Sequence, residues 1–579
     1  MSNVERIFLK KLVTIIGFFL IIISLLSLRS LPINGYIVDI YSILPYSFLI
    51  SIIICYFIGS TLVFWDKRKI GVLILIFTHL SILLIPFMLG YYSMGRADDM
   101  SYIGEYQQIT VSGNIGPWNI YPATHIIGSS ITLITGIPVN NTSFLIPITF
   151  SFLFIFGLIL FSKELIQNKL ILSIAIPTSF ILYLGPYNFL NVPHALFFAM
   201  MPLFCYLSVK CVKENSKALS GLLVLLIILI PFTHPFIVFF VFCFTLIYLT
   251  PNWLNKRVEL APKVNMYLLL LIASFFSWFL YQGGLLQKFN TRYTQYTEEI
   301  SVPTYVSTTE KLVKINLDLL DYFKLLNFYY GRYYIPAIII FISLFIIIKN
   351  RNKIDHLLLS KYKYLLILYL SFFVIQIILL LNPIITHQPD RLTNLNFIVI
   401  AQVPLFAYSL YIVIFSNLPK KEAIFTTLLI ITLIWGISLF GCLDSPNIFK
   451  TNVALTNNEV NGMRWFYDYE ETEIIGTPFQ QISRFGDLFG ERGLHTEKII
   501  KLPDHFGYGE EWREFSQINV EKGKKMDIIL FEIDELLYQE VPGYKNVGRY
   551  TKKDFDWFKN DYSVEKIFDS LNTEIYRSS

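Results

Sequence analysis

Long apolar runs separated by short polar connections dominate the first 441 residues of the chain. A helix needs about 20 mostly apolar residues to cross a bilayer, and thirteen runs approach or reach that length. They lie at 12–28, 41–65, 70–90, 142–162, 169–187, 193–209, 218–233, 235–250, 264–282, 333–348, 362–382, 394–416 and 422–441. The two runs beside His234-Pro235 are also consistent with one broken hairpin. The pattern predicts a polytopic α-helical membrane protein of about 13 spans.

The pattern changes after residue 441, where ordinary polarity returns. Helical spacing of apolar residues, short β-rich runs and a terminal hairpin pattern predict a small α/β domain over 442–579. The predicted helices are Asn458–Tyr469 and Lys552–Asn560, and the predicted strands are Glu473–Thr477, Met526–Ile533, Glu565–Ile567 and Glu574–Tyr576. Because this segment has no Gly-rich phosphate loop, nucleophile elbow or metal cluster, we expect a structural or acceptor-docking role for it.

Composition supports the membrane interpretation and excludes several other classes. The chain is 54% hydrophobic and 15% charged, whereas soluble domains carry about 25% charged residues. The five cysteines lack metal-ligand spacing and form no disulfide framework. The net charge of +5 reflects which side the loops face, so membrane lipids are expected partners and nucleic acid is not.

Connections rich in lysine and arginine alternate along the chain with connections that are poor in them. This pattern predicts which side of the membrane each connection faces. With a cytoplasmic N-terminus, every inner connection is basic and the short outer ones carry almost no Lys or Arg. Residues 1–441 are then a membrane domain with outer loops 91–141, 283–332 and 383–393, and 442–579 is extracytoplasmic. The sequence therefore predicts a multi-pass protein of the cytoplasmic membrane.

Ionisable residues gather at the predicted outer ends of the spans. No Lys, Arg, Asp or Glu lies well inside an apolar run, and only His79 lies mid-span, which counts against an ion-coupled carrier, since such carriers place charges at membrane depth. The candidate site residues at the outer side are Arg96, Asp98, Asp99, His125, His194, His234, Arg292, Arg332, His387 and Arg391. This distribution favours chemistry at the outer leaflet.

The acidic and the basic residues of this set suit different roles. Asp98 or Asp99 is a candidate general base, whose pKa burial would raise and Arg96 would oppose. Arg391 is a candidate clamp for a phosphate or pyrophosphate, which a guanidinium binds through two parallel hydrogen bonds, and Arg332 and Arg292 compete for that role. The histidines are further candidates for substrate or lipid-phosphate contacts. The sequence indicates no particular cofactor, and two adjacent carboxylates are compatible with a divalent cation.

Several short motifs resemble the GT-C membrane glycosyltransferases. They are Gly95-Arg96-Ala97-Asp98-Asp99, the amphipathic helix Ile103–Val111, Tyr121-Pro122-Ala123-Thr124-His125, the late-loop segment Asp390–Asn396, and a terminal hairpin similar to that of large, especially archaeal, members. The resemblance implies transfer of a sugar from a polyprenyl- or dolichyl-phosphate donor to a glycan, lipid or protein acceptor outside the membrane. Asp98 and Asp99 would then serve the acceptor, and Arg391 would hold the lipid phosphate. The chain departs from the family in placing three spans before the acidic loop instead of one.

Three alternatives remain open at this stage. The layout also resembles an oligosaccharyltransferase, in which Glu310 would supply a second acidic motif, but the double-tryptophan motif of that enzyme is missing and Trp465–Tyr469 is only a distant echo of it. A lipid or polysaccharide transporter requires a cavity that opens to both sides. A non-catalytic envelope scaffold requires no groove between 91–141 and 383–393.

Overall fold

The fold is taken from a computed structural model of the chain. The structure describes residues 3–29, 31, 35–116, 119, 121–214, 216–233, 243, 245–247, 262–281, 318–350, 355–381, 389–469, 472–479, 482–491, 498–509, 514–515, 525–546 and 548–578. Four sequence candidates, His234, Arg292, Glu310 and His387, lie outside the described residues.

Helices account for nearly all of the described chain before residue 440. They are Asn3–Arg29, Ile40–Ile43, Tyr46–Phe64, Arg68–Leu83, Ile85–Met88, Asp98–Ser112, Pro122–Thr135, Val139–Leu165, Lys169–Thr178, Pro193–Glu214, Lys217–Thr233, Pro262–Tyr281, Leu319–Leu325, Gly331–Lys349, His356–Leu381, Pro389–Asn394, Ile398–Leu410 and Lys420–Leu439. One 3₁₀ turn, Gly185–Asn188, and two π-helical turns, Leu326–Tyr330 and Tyr411–Phe415, connect or extend these helices.

Eight helical segments among the described residues are long and apolar enough to span a bilayer. They are Ile7–Arg29, Tyr46–Phe64, Val139–Leu165, Pro193–Cys211, Leu319–Lys349, His356–Leu381, Arg391–Phe415 and Lys420–Leu439. The prediction of a polytopic α-helical membrane protein is therefore confirmed, while the count of thirteen stays a prediction.

Two predicted spans contain shorter helices than their apolar runs suggested. In 169–187 the helix ends at Thr178, directly after Pro177, and the chain then turns through Gly185 at φ +53°. Ten residues rise about 15 Å, which is half of the hydrocarbon core. In 70–90 the helix stops at Leu83 and a separate short helix, Ile85–Met88, follows.

The basic connections lie together at one end of the helix bundle. Lys10 Nζ donates to the carbonyl of Trp65 at 2.7 Å, and Arg68 donates to the carbonyl of Lys169 at 2.8 Å. At the other end of the helix Tyr46–Phe64, about 28 Å away at 1.5 Å per residue, the hydroxyl of Tyr41 contacts the chain that leads into the C-terminal segment. The predicted alternation thus corresponds to two chemically different ends.

The C-terminal segment is an α/β unit built on a five-stranded sheet. Its strands are β1 (Ile474–Thr477), β2 (Ile499–Lys501), β3 (Met526–Phe531), β4 (Val564–Asp569) and β5 (Thr573–Ser578), in the order β2-β1-β3-β5-β4. β1 pairs in parallel with β2 and β3, whereas β5 runs antiparallel to β3 and β4. The helices of this unit are Asn457–Tyr469, Ser483–Phe489, Glu532–Glu540, Pro542–Lys545 and Lys552–Lys559. The predicted small α/β fold is confirmed.

The hydrophobic core of this unit extends into the preceding segments of the chain. Tyr36, Val38, Met100 and Ile103 belong to the same buried cluster as the residues of β1 and β3. Because burial of apolar surface is the main favourable term in folding, the loop before the second helix and the helix Asp98–Ser112 are held against the sheet. The unit and the membrane helices therefore share one interface, at which the acidic pair lies.

Candidate active site

The acidic pair opens the helix Asp98–Ser112, here called the acidic helix. Ala97 caps it at φ +62°, and Gly113 ends it in the left-handed region at φ +69°. Carboxylates in a first turn are favoured because the helix dipole is positive there. Successive side chains diverge by about 100° around a helix, so Asp98 and Asp99 point in different directions. The sequence left either acid as the candidate base, and the structure distinguishes them by their place on a helix.

Asp99 points inward and is 2% exposed. Its Oδ2 accepts from the amide of Gly95 at 3.0 Å, and its Oδ1 accepts from the amide of Asn191 at 2.9 Å. Burial raises the pKa of Asp99 to about 7, against the opposing effect of these two N–H groups and with a smaller contribution from the charge of Asp98. The side-chain oxygen of Asn191 in turn accepts from Tyr106 at 2.8 Å. Asp99 thus joins three segments of backbone and is closed off from solvent.

Gly95 is needed for this arrangement. A Cβ placed on Gly95 would lie 2.7 Å from the Cβ and 2.9 Å from the Oδ2 of Asp99. Contacts that short do not occur between such atoms, so any side chain at this position would displace the carboxylate.

Asp98 points outward, with 46% of its side chain exposed, and pairs with Arg484 of the C-terminal unit. Arg484 Nη2 donates to Asp98 Oδ1 at 2.9 Å, and Arg484 Nη1 donates to Ser101 Oγ at 3.0 Å. Ser101 donates in turn to Asp487 at 2.6 Å. The sequence had suggested Arg96 as the cation beside the acidic pair. The cation that Asp98 contacts is instead Arg484, 386 residues later in the chain.

Arg484 and Asp487 belong to the short helix Ser483–Phe489, here called the docking helix, which crosses the acidic helix at Gly104. A Cβ on Gly104 would lie 2.0 Å from the carbonyl oxygen of Asp487 and 3.1 Å from the Cα of Leu488. The two backbones therefore approach more closely than any residue except glycine permits. This contact fixes the distance across which Arg484 reaches Asp98.

Arg391 provides a cation near the acidic pair. It lies in the short helix Pro389–Asn394 and is partly exposed, and its guanidinium makes no hydrogen bond or ion pair with any residue that the structure describes. Burial raises the pKa of Tyr121, while the charge of Arg391 lowers it and that of Asp98 raises it. The charges of Asp98 and Arg391 therefore both lie within electrostatic reach of the Tyr121 hydroxyl.

Tyr102 and His125 border the same region. Burial raises the pKa of Tyr102, and the charge of Asp98 raises it further while Arg484 lowers it. The ring of His125 lies 4.9 Å from that of Tyr102, and its Nδ1 is 2.7 Å from Asn119 Oδ1. His194, another candidate, packs edge-on against Tyr187 with a ring separation of 5.4 Å. The sequence pattern pointed to Tyr121 only as part of a motif, and it indicated no role for Tyr102.

The other two arginine candidates that the structure describes, Arg332 and Arg96, are engaged elsewhere. Arg332 is fully buried, donates to the carbonyl of Leu182 at 2.8 Å and to the side chain of Asn394, and lies over the ring of Tyr333. Arg96 pairs at 2.7 Å with the fully buried carboxylate of Glu459 in the C-terminal unit. Through these contacts, each arginine holds separate segments of the fold together. Among the described candidates for a phosphate clamp, Arg391 alone makes no side-chain hydrogen bond or ion pair with another described residue.

The described carboxylates do not form a cation site. Asp98 accepts from an arginine and Asp99 from two backbone amides, and no group of three His, Cys, Asp or Glu side chains converges within the described part of the chain. A divalent ion needs several oxygen ligands. The acidic pair by itself therefore does not fit the cation that the sequence left open.

Comparison with known proteins gives only distant structural neighbours. No family model matches the chain, and no curated protein matches it. ArnT from Cupriavidus metallidurans bound to undecaprenyl phosphate aligns with a TM-score of 0.44 and 10% identity over 87% of this chain and 97% of its own. The apo oligosaccharyltransferase of Archaeoglobus fulgidus aligns with a TM-score of 0.45 and 11% identity over 89% of this chain and 75% of its own. Likeness at this level decides neither the family nor the activity of the chain, which have to be inferred from its own residues.

Proposed function

We propose that this protein is a GT-C-type membrane glycosyltransferase that moves a sugar from a polyprenyl-phosphate donor to an acceptor. The observation that carries the proposal is that Asp98 and Arg391 both lie within electrostatic reach of Tyr121, at the end of the helix bundle that bears the C-terminal unit. A carboxylate that takes a proton and a nearby guanidinium that holds the leaving phosphate are what a transfer from a lipid phosphate requires.

Asp98 is the proposed base because its side chain is half exposed and only one of its oxygens accepts from Arg484. It takes the proton of the acceptor hydroxyl while that oxygen bonds to the anomeric carbon of the donor. The bond between the anomeric carbon and the phosphate oxygen breaks, and the phosphate leaves on its lipid with the charge that Arg391 stabilises. Asp99, with both oxygens bound by backbone amides, is a positioning residue that fixes the start of the acidic helix.

Turnover of a radiolabelled polyprenyl-phosphate sugar by the purified protein in detergent tests this assignment. Asp98→Asn and Arg391→Gln should each lower turnover by about 100-fold or more, the range that general-base and charge-stabilising groups contribute. Arg29→Gln, which alters an exposed arginine at the end of the first helix, serves as the matched control and should keep full activity. Full turnover by both site variants would remove the two residues from the mechanism.

The oligosaccharyltransferase alternative differs in the acceptor. Supplying a lipid-linked oligosaccharide together with a sequon peptide separates the two, because only that enzyme forms glycopeptide. Transfer to a lipid or glycan acceptor without glycopeptide supports the proposal made above.

We further propose that the N-terminus is cytoplasmic and that residues 442–579 form an extracytoplasmic domain following a membrane domain of residues 1–441. The basic connections that share one end of the bundle support this orientation, since Lys and Arg concentrate on the cytoplasmic side. Labelling of single cysteines in intact cells tests it: a cysteine at Ser570 should react with a membrane-impermeant maleimide, and one at Lys67 should not.

A further inference from the structure

A groove at the basic end of the bundle is separate from the site described above. It lies between the helices Asn3–Arg29, Tyr46–Phe64 and Lys420–Leu439 and has a volume of about 710 Å³. Its walls are largely apolar, with Val13, Phe57, Ile58, Phe425 and Leu428 among the side chains that form them. A groove of this size and character accommodates an acyl chain.

Two lysines stand at the mouth of this groove. Lys10 contacts the carbonyl of Trp65, and two of its three N–H donors remain available. Lys421 is exposed, and neither lysine forms an ion pair with any residue that the structure describes. One carboxylate, Asp66, also lines the groove, and Lys67, Arg68 and Lys69 follow it directly in the chain. The mouth of the groove is therefore positively charged, whereas its wall is apolar.

We propose that this groove is a binding site for an anionic glycerophospholipid of the surrounding membrane. The phosphate lies against Lys10 and Lys421, the indole of Trp65 sits at headgroup level, and one acyl chain runs along Val13 and Phe57. Basic pockets between membrane helices recognise anionic headgroups in this way, and tryptophan favours the bilayer interface. The site would bind a lipid that joins the first helix to the last one of the bundle.

The exposed face of the first helix indicates what such a lipid would stabilise. The first helix exposes Ile7, Phe8, Ile15 and Phe19, each by more than half, on its outer face. A lipid in the groove would cover the inner edge of the first helix and link that helix to the helix Lys420–Leu439. Binding of lipid to the folded state alone raises the unfolding temperature by mass action.

The test uses the full chain, purified in detergent, with phosphatidylglycerol and phosphatidylcholine of matched acyl chains as probes. Phosphatidylglycerol should be retained in preference and should raise the unfolding temperature more than phosphatidylcholine does. Lys10→Gln and Lys421→Gln should each weaken its retention about fivefold, and the double variant about 25-fold, as expected for about 1 kcal/mol from each lysine. Lys349→Gln, an exposed lysine at a helix end outside the groove, should change nothing.

A second variant tests the apolar part of the site. Val13→Trp keeps both lysines but fills the groove, so it should also abolish the preference for phosphatidylglycerol. Equal retention of the two lipids by the wild type, or a preference that survives in the double lysine variant, would overturn the proposal. Because none of these measurements involves sugar transfer, their outcome is independent of the proposed activity.

Discussion

Replacing Gly104 by alanine tests whether the C-terminal unit is part of the site. The new Cβ would lie 2.0 Å from the carbonyl oxygen of Asp487, so the acidic and docking helices must separate by about 1.4 Å to restore ordinary contact. The hydrogen bond from Ser101 to Asp487, now 2.6 Å, would open to about 4 Å and be lost. The ion pair between Arg484 and Asp98 lies beside it and would lengthen as well.

The cost has three parts that can be estimated. Overpacking costs about 1 to 3 kcal/mol, and the lost hydrogen bond to a charged group costs about 1.5 kcal/mol because Asp487 is largely buried. Alanine returns about 1 kcal/mol through its higher helix propensity. The net loss is thus about 1.5 to 3.5 kcal/mol, measurable as a lower unfolding temperature in detergent together with lower sugar transfer.

Gly221→Ala is the matched control, since a Cβ there meets no atom within 4 Å and the residue lies in the exposed part of a helix. It should be neutral or stabilise by up to about 1 kcal/mol. If Gly104→Ala unfolds at or above the wild-type temperature and transfers sugar normally, the close crossing of the two helices is not what holds Arg484 at the acidic pair.

Three further predictions concern the residues beneath the site. Gly95→Ala should displace the Asp99 carboxylate and lower sugar transfer as far as Asp99→Asn does, with near-normal transfer as the contradicting result. Because burial raises the pKa of Asp99 to about 7, its folded form binds the proton more tightly than the unfolded chain, and its contribution to stability is lost as the pH rises toward and through 7. The wild type should therefore lose stability between about pH 4 and 7 relative to Asp99→Asn, by at most about 1.4 kcal/mol per pH unit, whereas parallel unfolding curves would contradict the burial of this group. Arg332→Met should destabilise by about 2 to 4 kcal/mol because it leaves buried acceptors unpaired, while Arg391→Met should change the unfolding temperature little, and equal effects of the two would contradict their different environments.

The fold was largely predictable where a periodic apolar pattern is long. The spans and the helices Asn457–Tyr469 and Lys552–Lys559 of the C-terminal unit follow such patterns, and β3 and the terminal hairpin follow short β-rich runs. The helix Glu532–Glu540 was not predicted. The docking helix was missed because seven residues are too few to show helical spacing. The helix in the predicted span 169–187 is shorter than expected because apolarity continues past Thr178, where the helix ends.

The candidate site was predictable in its residue types and not in its pairings. The sequence indicated an outward acidic pair and a late-loop arginine, yet it gave Asp98 and Asp99 the same role, since only the helix register makes one exposed and the other buried. Arg484 gave no local signal, because a contact across 386 residues depends on how the unit packs. Arg96 and Arg332 looked like site cations in the sequence, and only their burial and partners reveal structural roles for them.

Binding and transfer measured side by side test the central assignment most directly. Undecaprenyl phosphate without sugar should bind the wild type and Asp98→Asn equally, because Asp98 serves the acceptor, while Arg391→Gln should bind it about 10- to 100-fold more weakly through loss of a charge-assisted contact. Asp98→Asn should nevertheless fail to transfer sugar. Unchanged lipid binding by Arg391→Gln, or full transfer by Asp98→Asn, would contradict the proposed division of roles across Tyr121.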